Sequence, residues 1–398
     1  MVVVLLTWAF TLAGGQSTTE LKVIGSNEVE NKGMKIEIPA DSTKSQMLEK
    51  EENVLPNFLK DCRTICFYGD SLTDGSSYPD YVINTLNSNF PNQSFIIQNS
   101  AKCGDTSRDL VRRWDIDITP KKPDLVIICV GVNDMSQNIP FEEFQNNLNV
   151  LISKAKKIDS KVMMVLTSHC KPELKDKKLI SYVKIMRRIA LEHQLPFADA
   201  YHTFKALEKE NKVVLGPDGL HHGPDGFPAM ARAILDGMGL PSIAVNTKIK
   251  PWPYALTNWE ISNNIAHNKN TTLSDWSKKA KWIPYPTEKA LNQVEWWDKP
   301  FIQRGAVLPN IFNDKEGHIV LAKTIYSADT ACNAELQIGG SAPLTILFNQ
   351  KIIWNQTKAH GYHPNADRIT IKLEAGDNEF IVHTKYLAYL NLIPNKKE

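Results

Sequence analysis

The chain lacks a strong charge of either sign. Its 398 residues carry 46 Lys and Arg against 44 Asp and Glu, a formal net charge of +2. No run rich in Lys and Arg occurs apart from the terminal Lys396-Lys397. Since a protein that binds nucleic acid needs a basic patch to neutralise phosphates, this balance argues against a nucleic-acid partner.

Cysteine is scarce as well. The six cysteines form no dense framework, and no Cys/His spacing is typical of a zinc site, so we predict no metal. Cys66 and Cys129 lie inside apolar runs, where a cysteine is usually a small buried hydrophobe. Cys62 and Cys103 could pair in an oxidising compartment, which the sequence leaves open.

Long apolar runs are absent after the N-terminus. The run from Val2 to Ala13 is too short to span a bilayer, and small residues follow it at Gly14 and Gly15. The pattern is typical of an export signal, with a buried N-terminal strand as the alternative. We therefore predict a signal peptide over residues 1–15, a secreted or periplasmic location and no integral membrane segment.

The rest of the chain divides into four parts by composition and periodicity. Residues 16–59 are polar and predict an N-terminal extension. Residues 60–240 alternate between apolar, β-leaning runs and helical periodicity, which predicts an α/β domain with a parallel sheet covered on both faces. The predicted strands are Thr64–Tyr68, Ser94–Gln98, Asp124–Val130, Lys161–Thr167 and Leu195–Ala198.

The alternation stops at residues 241–315, which are rich in tryptophan. This density predicts either a platform that stacks sugars or the anchors of an irregular linker. The tryptophans are Trp252, Trp259, Trp276, Trp282, Trp296 and Trp297. Residues 316–398 then show short alternating strands separated by turn signals such as Gly339-Gly340, which predicts an all-β sandwich.

A serine at the end of the first predicted strand is the strongest candidate for chemistry. Ser71, within Gly69-Asp70-Ser71, stands between a strand and a probable helix, where free backbone N–H groups can stabilise negative charge. The alternative is an ordinary turn. A serine nucleophile also needs a base, a group that orients the base, and oxyanion donors.

Two later segments supply candidate oxyanion donors. Gly104 follows the second strand and could let a backbone N–H approach a substrate oxygen, although a glycine there often only turns the chain. Asn133 follows the third strand, within Gly131-Val132-Asn133-Asp134. Its uncharged amide suits an oxyanion, while capping of the next turn is the alternative.

A third segment supplies the base. Asp218 and His221 are three residues apart in a Gly/Pro-rich stretch before the last helix of the domain. One turn can therefore bring the carboxylate to one ring nitrogen and leave the other for the serine. His222 competes for this role, but its spacing to Asp218 is less suitable, so we predict that it lines the pocket.

Together these segments resemble the SGNH, or GDSL-type, hydrolase superfamily over residues 60–240. The family's blocks are matched by Gly69-Asp70-Ser71-Leu72, by Gly104, by Gly131 to Asp134, and by Asp218 with His221. The family places Pro after the catalytic His, where this chain has His222. The resemblance implies a three-layer α/β/α, flavodoxin-like fold and a Ser71–His221–Asp218 triad.

It also implies an oxyanion hole formed by Ser71, Gly104 and Asn133, and an acyl-enzyme mechanism without a cofactor. Asp70, Asp134 and His222 are further pocket candidates. We expect a secreted serine esterase that deacetylates an acylated small molecule or polysaccharide. The alternatives are a lipid or general carboxylesterase or thioesterase, and a carbohydrate-binding surface protein whose hydrolase domain is not essential.

The C-terminal part resembles accessory β-sandwich domains of secreted bacterial carbohydrate-active enzymes. The resemblance rests on two turn motifs, Leu347-Phe348-Asn349-Gln350-Lys351 and Leu373-Glu374-Ala375-Gly376-Asp377-Asn378. It implies a possible glycan contact, although these motifs encode turns rather than ligands. Candidates for that contact, with loop packing as the alternative, are Trp354, His360, Tyr362 and His363.

Overall fold

A computed structural model describes residues 54–268, 270–341, 343–358, 363 and 366–395. The predicted signal peptide at 1–15 and most of the extension at 16–59 lie outside the described residues. The described residues belong to one structural unit that spans Glu52–Glu398. Within them, no helix combines the length and the apolar character needed to cross a membrane.

The first half of the described chain is built on a five-stranded parallel sheet. Continuous apolar runs form its strands because both faces of the sheet are covered. The strands are β1 (Thr64–Gly69), β2 (Ile96–Asn99), β3 (Leu125–Cys129), β4 (Lys161–Leu166) and β5 (Phe197–Asp199). Their order is β2-β1-β3-β4-β5, with every neighbouring pair parallel.

Eight helices of this region connect and cover the strands. They are α1 (Ser71–Asp74), α2 (Tyr78–Asn89), α3 (Ser107–Asp117), α4 (Val132–Ser136), α5 (Phe141–Lys156), α6 (Glu173–Glu192), α7 (Ala200–Lys209) and α8 (Gly226–Gly237). A short 3₁₀ helix at Asn57–Leu59 precedes the sheet.

Alternate residues of β1, an inner strand of the sheet, belong to two separate cores. Ile65 and Phe67 of β1 belong to the core that contains α2, α7 and α8 side chains. Cys66 and Tyr68 belong to the opposite core, with α3, α5 and α6 side chains. This period of two places helices on both faces of the sheet, which confirms the predicted three-layer α/β/α architecture.

The C-terminal half is antiparallel and all-β at its centre. Its strands and helices, in chain order, are β6 (Glu260–Ser262), β7 (Ile265–Ala266), α9 (Leu273–Lys279), β8 (Trp282–Pro284), α10 (Thr287–Gln293), α11 (Lys299–Gln303), β9 (His318–Ile319), β10 (Ala322–Ala328), β11 (Cys332–Gly340), β12 (Leu344–Phe348), β13 (Lys351–Gln356), β14 (Asp367–Leu373), β15 (Gly376–Thr384) and β16 (Ala388–Pro394).

Two of the described sheets share one core and form the predicted sandwich. A six-stranded sheet has the order β13-β12-β15-β10-β6-β8, and a three-stranded sheet has the order β14-β11-β16. Leu336, Ile346 and Phe380 are among the buried side chains between them. Strands β6 and β8 come from residues 241–315, so the tryptophan-rich segment is part of the sandwich sheet as well as a connection.

The predicted glycan-contact residues lie in or after β13. Trp354 packs against the sandwich core and donates its Nε1–H to Gln356 Oε1 at 3.1 Å. His363 is buried, with 5% of its surface exposed. His360 and Tyr362 lie outside the described residues. Trp354 is partly buried and His363 is buried, and the glycan contact stays a prediction.

Candidate active site

Ser71 is the first residue of α1, and only Asp70 separates it from the end of β1. Asp70 caps this helix, since its Oδ1 accepts the N–H of Leu72 at 3.0 Å. Gly69 allows the sharp exit from the strand, because a Cβ at this position would overlap the backbone carbonyl of Cys129. The serine therefore stands at the carboxyl end of a parallel strand, where ligands of such sheets bind.

His221 and Asp218 approach Ser71 from the loop between α7 and α8. His221 Nε2 lies 2.9 Å from Ser71 Oγ, and His221 Nδ1 lies 2.5 Å from Asp218 Oδ2. Asp218 Oδ1 also accepts the backbone N–H groups of Leu220 and His221, each at 3.0 Å. The structure thus joins the three predicted residues in one chain of hydrogen bonds.

This hydrogen-bonded chain is open to solvent. The side chains of His221 and Asp218 are 49% and 50% exposed. Partial burial raises the pKa of Asp218, but the hydrogen bonds from the His221 ring and from two backbone N–H groups outweigh burial and hold this pKa below its usual value. Asp218 is therefore a carboxylate at neutral pH and can orient a ring N–H.

Of the predicted oxyanion donors, Gly104 lies on the loop between β2 and α3, and Asn133 of α4 contacts the same loop at Asp105. The backbone N–H of Cys103 donates to Asp74 Oδ2 at 3.1 Å, and this bond ties the loop to the helix that carries Ser71. Gly104 has a φ of +84°, a conformation that favours glycine. Asn133 donates one Nδ2 hydrogen to the carbonyl of Asp105 at 2.9 Å.

Two of the three predicted pocket residues are not in the pocket. Asp70 and Asp134 are fully buried, so the prediction that they line it is corrected. Burial raises the pKa of Asp70 to about 7 and that of Asp134 to about 6. Asp70 caps α1, and Asp134 accepts the backbone N–H of Ser107 at 3.0 Å and its hydroxyl at 2.5 Å.

His222 does line the pocket, as a buried and neutral ring. It is 3% exposed and packs against Tyr78, Phe204 and Phe227. Burial and, to a lesser extent, the neighbouring His221 lower its pKa to about 3. Its Nδ1 lies 3.5 Å from Ser76 Oγ. His222 is thus held in the wall, whereas the adjacent His221 reaches the serine.

The cavity beside Ser71 has a volume of about 450 Å³, within the range of ligand-binding pockets. One wall comes from the motifs, including Ser71, Asp218 and His221. Neither Gly104 nor Asn133 is among the described residues that line it. The opposite wall comes from the C-terminal half: Trp296, Trp297, Asp298, Phe301 and Tyr386.

That second wall was missed by sequence reasoning. The density of tryptophan in residues 241–315 was the available signal, but it did not distinguish anchors from a platform. In the structure Trp252, Trp259 and Trp276 are buried at 9%, 5% and 9% exposure, whereas Trp297 is 39% exposed. The segment therefore contains both anchors and pocket residues.

One cysteine, Cys103, is among the residues that line the cavity. Cys62 and Cys103 are both free thiols, Cys62 buried and Cys103 exposed. In the described ranges, no group of three or more His, Cys, Asp or Glu side chains is placed to hold a metal ion.

The site has the arrangement found in serine hydrolases: a serine at the end of a parallel strand bonds to a histidine, and this histidine bonds to an aspartate. Residues 67–227 match the GDSL-like lipase/acylhydrolase family. A curated acetylxylan esterase from Geobacillus stearothermophilus is 26% identical over 204 residues, which cover 44% of this chain and 93% of that protein.

Solved structures with a similar fold are known. A crystal structure of an acetylxylan esterase from Geobacillus stearothermophilus has a TM-score of 0.42 at 24% identity, and the match covers 44% of this chain and 94% of that one. An α/β hydrolase enzyme from the metagenome of Lake Arreo has a TM-score of 0.43 at 22% identity, and the match covers 45% of this chain and 96% of that one.

The region 67–227 belongs to the GDSL-like lipase/acylhydrolase family of the SGNH hydrolase superfamily, and the protein is a carboxylic ester hydrolase. The resemblance stated from the sequence is thereby confirmed.

Proposed function

We propose that this esterase removes acetyl groups from an acetylated carbohydrate, with Ser71 as nucleophile, His221 as general base and Asp218 as the group that orients the base. The observation that carries the proposal is the chain of hydrogen bonds at 2.9 Å and 2.5 Å that links the three side chains. These distances are within the reach that proton transfer requires.

The first half of the reaction forms an acyl-enzyme. His221 Nε2 takes the proton of Ser71 Oγ while Oγ forms a bond to the ester carbonyl carbon. Asp218 keeps the hydrogen on Nδ1 and stabilises the imidazolium. The tetrahedral intermediate then breaks its bond to the alcohol oxygen, which takes the proton from His221 and leaves as a sugar hydroxyl.

Water completes the cycle. His221 takes a proton from a water molecule, whose oxygen bonds to the acyl carbon, and then returns the proton to Ser71 Oγ as acetate leaves. Because the His221 side chain is 49% exposed, this water can reach it directly from solvent. No step in this scheme calls on a metal or an organic cofactor.

Three N–H groups are the proposed oxyanion donors: the backbone N–H groups of Ser71 and Gly104, and the Asn133 side chain. The Asn133 amide has two hydrogens, of which one binds the carbonyl of Asp105, so the other can serve the oxyanion. We expect Asn133→Ala to lower kcat by about 10²–10³-fold with a smaller change in KM. An unchanged kcat would remove Asn133 from the oxyanion hole.

Acetylated carbohydrate is the favoured substrate class for two reasons. The curated relative over this region is an acetylxylan esterase. The triad side of the site is also open to solvent, with Asp218 50% exposed, and this leaves room for a bulky polar alcohol. Export of the enzyme, from the signal pattern at residues 1–15, is part of the same proposal.

A lipid or general carboxylesterase is the second candidate. The apolar cavity residues Leu72, Phe227 and Phe301 favour it, because they could accommodate an acyl chain. Acetate release from acetylated xylan, measured beside hydrolysis of p-nitrophenyl esters of increasing chain length, separates the two candidates. We expect activity on acetylated xylan and a fall in kcat/KM beyond short chains; the reverse order would favour the lipid esterase.

The Ser71→Ala variant tests the nucleophile. We expect a loss of roughly 10⁴-fold or more in kcat on every ester, with the protein still folded. A variant that kept full ester hydrolysis would contradict the mechanism. The same inactive variant, in a polysaccharide pull-down, tests the remaining reading of the protein as a carbohydrate-binding surface protein.

A further inference from the structure

The wall of the cavity that faces the triad is aromatic and comes from the loop between α10 and α11. The Trp296 ring packs against Phe227 with ring centroids 5.5 Å apart, and its Cζ2 approaches the backbone at Gly216. Trp297 meets Trp296 edge to face at 5.3 Å and 83°. The two indoles therefore stand beside the loop that carries Asp218.

Exposure separates Trp297 from the buried tryptophans of the segment. Burial of an indole against the core is a stabilising use of the residue, as in Trp259 at 5% exposure. Trp297 leaves 39% of its surface exposed within a cavity beside Ser71. An anchor would bury this surface, whereas a ligand-binding wall leaves it available.

A carboxylate lies among these rings. Asp298 is 7% exposed, lines the cavity and accepts a hydrogen bond from the Tyr386 hydroxyl at Oδ1. A carboxylate offers about four lone-pair positions, so it can accept further hydrogen bonds. An acyl chain has no donor for this group. A sugar ring has hydroxyl donors at its edge and C–H groups on its faces, and so matches both a carboxylate and an indole face.

The wall is held firmly against the hydrolase domain. Arg304, just after α11, donates to Asp80 Oδ2 from Nε at 2.9 Å and to the carbonyl of Ser76 at 2.7 Å. Phe301 of the same helix lies over Gly75, in the loop that follows the nucleophile. The distance between the indoles and Ser71 is therefore fixed by the fold, which is the preorganisation that a specificity site requires.

We propose that Trp297, with Trp296 and Asp298, forms a subsite for the sugar ring that carries the scissile ester. The inference rests on the proposed deacetylation of a carbohydrate and adds the residues that select the alcohol half of the substrate. The ring stacks on the indole, a hydroxyl donates to Asp298, and the acetyl carbonyl is turned towards Ser71.

The kinetic test compares two acetyl esters that differ in the alcohol. Mono-acetylated xylobiose carries a sugar ring, and ethyl acetate carries none. We expect Trp297→Ala to lower the ratio of kcat/KM for the sugar ester over ethyl acetate by about 10- to 100-fold, largely through KM. Trp297→Phe, which keeps an aromatic face, should restore most of the ratio.

Trp282→Ala is the matched control. Trp282 belongs to the same tryptophan-rich segment but packs in a cluster with Ile265 and Leu321, away from the cavity. We expect it to leave the ratio unchanged. A ratio that does not fall in Trp297→Ala, or that falls equally in Trp282→Ala, overturns the subsite.

A binding test separates this inference from the proposed function. Xylobiose without acetyl groups is titrated by calorimetry into Ser71→Ala and into the same variant with Trp297→Ala. We expect binding to the first and at least tenfold weaker binding to the second. No binding to the first, or equal binding to both, overturns the subsite, whether or not the wild-type enzyme releases acetate. Binding that depends on Trp297 in an enzyme that releases none would contradict only the proposed deacetylation.

Discussion

The ion pair between Arg304 and Asp80 gives the sharpest test of how the C-terminal half supports the active site. The two side chains are 5% and 10% exposed, and Arg304 Nη2 lies 2.5 Å from Asp80 Oδ2. Arg304 also donates to the carbonyl of Ser76, which lies in the loop after the nucleophile. Arg304→Met keeps most of the side-chain volume but removes every one of these donors.

The expected loss of stability follows from the polar groups that stay buried without a partner. In Arg304→Met the Asp80 carboxylate is left without its positive partner and the Ser76 carbonyl without its donor. Removal of one member of a buried pair typically costs about 3–5 kcal/mol of unfolding free energy. For a chain of this size, we expect the melting temperature to fall by roughly 4–7 °C.

The double variant Asp80→Leu/Arg304→Met removes both charges together. Since replacement of a whole buried pair by apolar side chains is often nearly neutral, we expect it to be at least about 2 kcal/mol more stable than Arg304→Met alone. Arg112→Met is the control, because Arg112 is 79% exposed in its pair with Asp109, and we expect a change of about 0.5 kcal/mol or less.

Differential scanning calorimetry and urea denaturation of the full chain measure these differences. A loss below about 1 kcal/mol in Arg304→Met would refute the reasoning, since it would mean that the buried carboxylate needs no partner. A double variant that is no more stable than Arg304→Met would refute it as well, because the cost would then come from lost packing.

Three further predictions concern the residues around the nucleophile. His221→Ala should lower kcat by roughly 10⁴-fold or more, whereas His222→Phe should keep kcat within about tenfold, because the His222 ring is a buried, neutral wall; the reverse order would exchange their roles. Because burial raises the pKa of Asp70 to about 7, the folded state holds a proton that the unfolded chain releases near pH 4, so stability falls as pH rises between these values. Urea denaturation should therefore find Asp70→Asn more stable than wild type near pH 8, by up to roughly 4 kcal/mol, and without advantage near pH 4; equal stability at both would contradict the burial argument. Gly69→Ala should lose about 3 kcal/mol or more of stability, seen as lost soluble yield, because a Cβ overlaps the Cys129 carbonyl.

The parallel sheet was predictable because a strand buried on both faces is a continuous apolar run. The prediction of Thr64–Tyr68 differs from the strand Thr64–Gly69 by one residue, and Leu195–Ala198 from Phe197–Asp199 by two at its start. The grouping of Ser71 with the later segments was also predictable, since the carboxyl ends of parallel strands meet at one edge.

The short strands β6 and β8 could not be predicted in the same way. Each has three residues, Glu260–Ser262 and Trp282–Pro284, which is too short for an alternating pattern to stand out. They exist because β10 offers its free edge to β6, and β6 in turn pairs with β8. Pairing partners far along the chain, rather than local propensity, decide such strands.

The buried acids Asp70 and Asp134 show a different limit of prediction from the sequence. Both stand in motif positions, and a motif does not say which side chains face the substrate. Asp70 turns back to cap its own helix, and Asp134 turns inward to the backbone N–H of Ser107. Only the packing of the α3 start against the α4 start distinguishes an inward carboxylate from one that lines a pocket.

The aromatic wall could not be predicted because its position depends on contacts between distant parts of the chain. Arg304 and Asp80 are 224 residues apart in sequence, yet their pairing joins the two parts of the chain that bring Trp297 and Ser71 to one cavity. The nucleophile and its base belong to one half of the molecule, and the wall that faces them belongs to the other. Under the proposed function, the choice of alcohol and the chemistry of hydrolysis therefore depend on different residues. We expect substitution in the loop between α10 and α11 to change the substrate while the hydrogen bond between Ser71 and His221 stays in place.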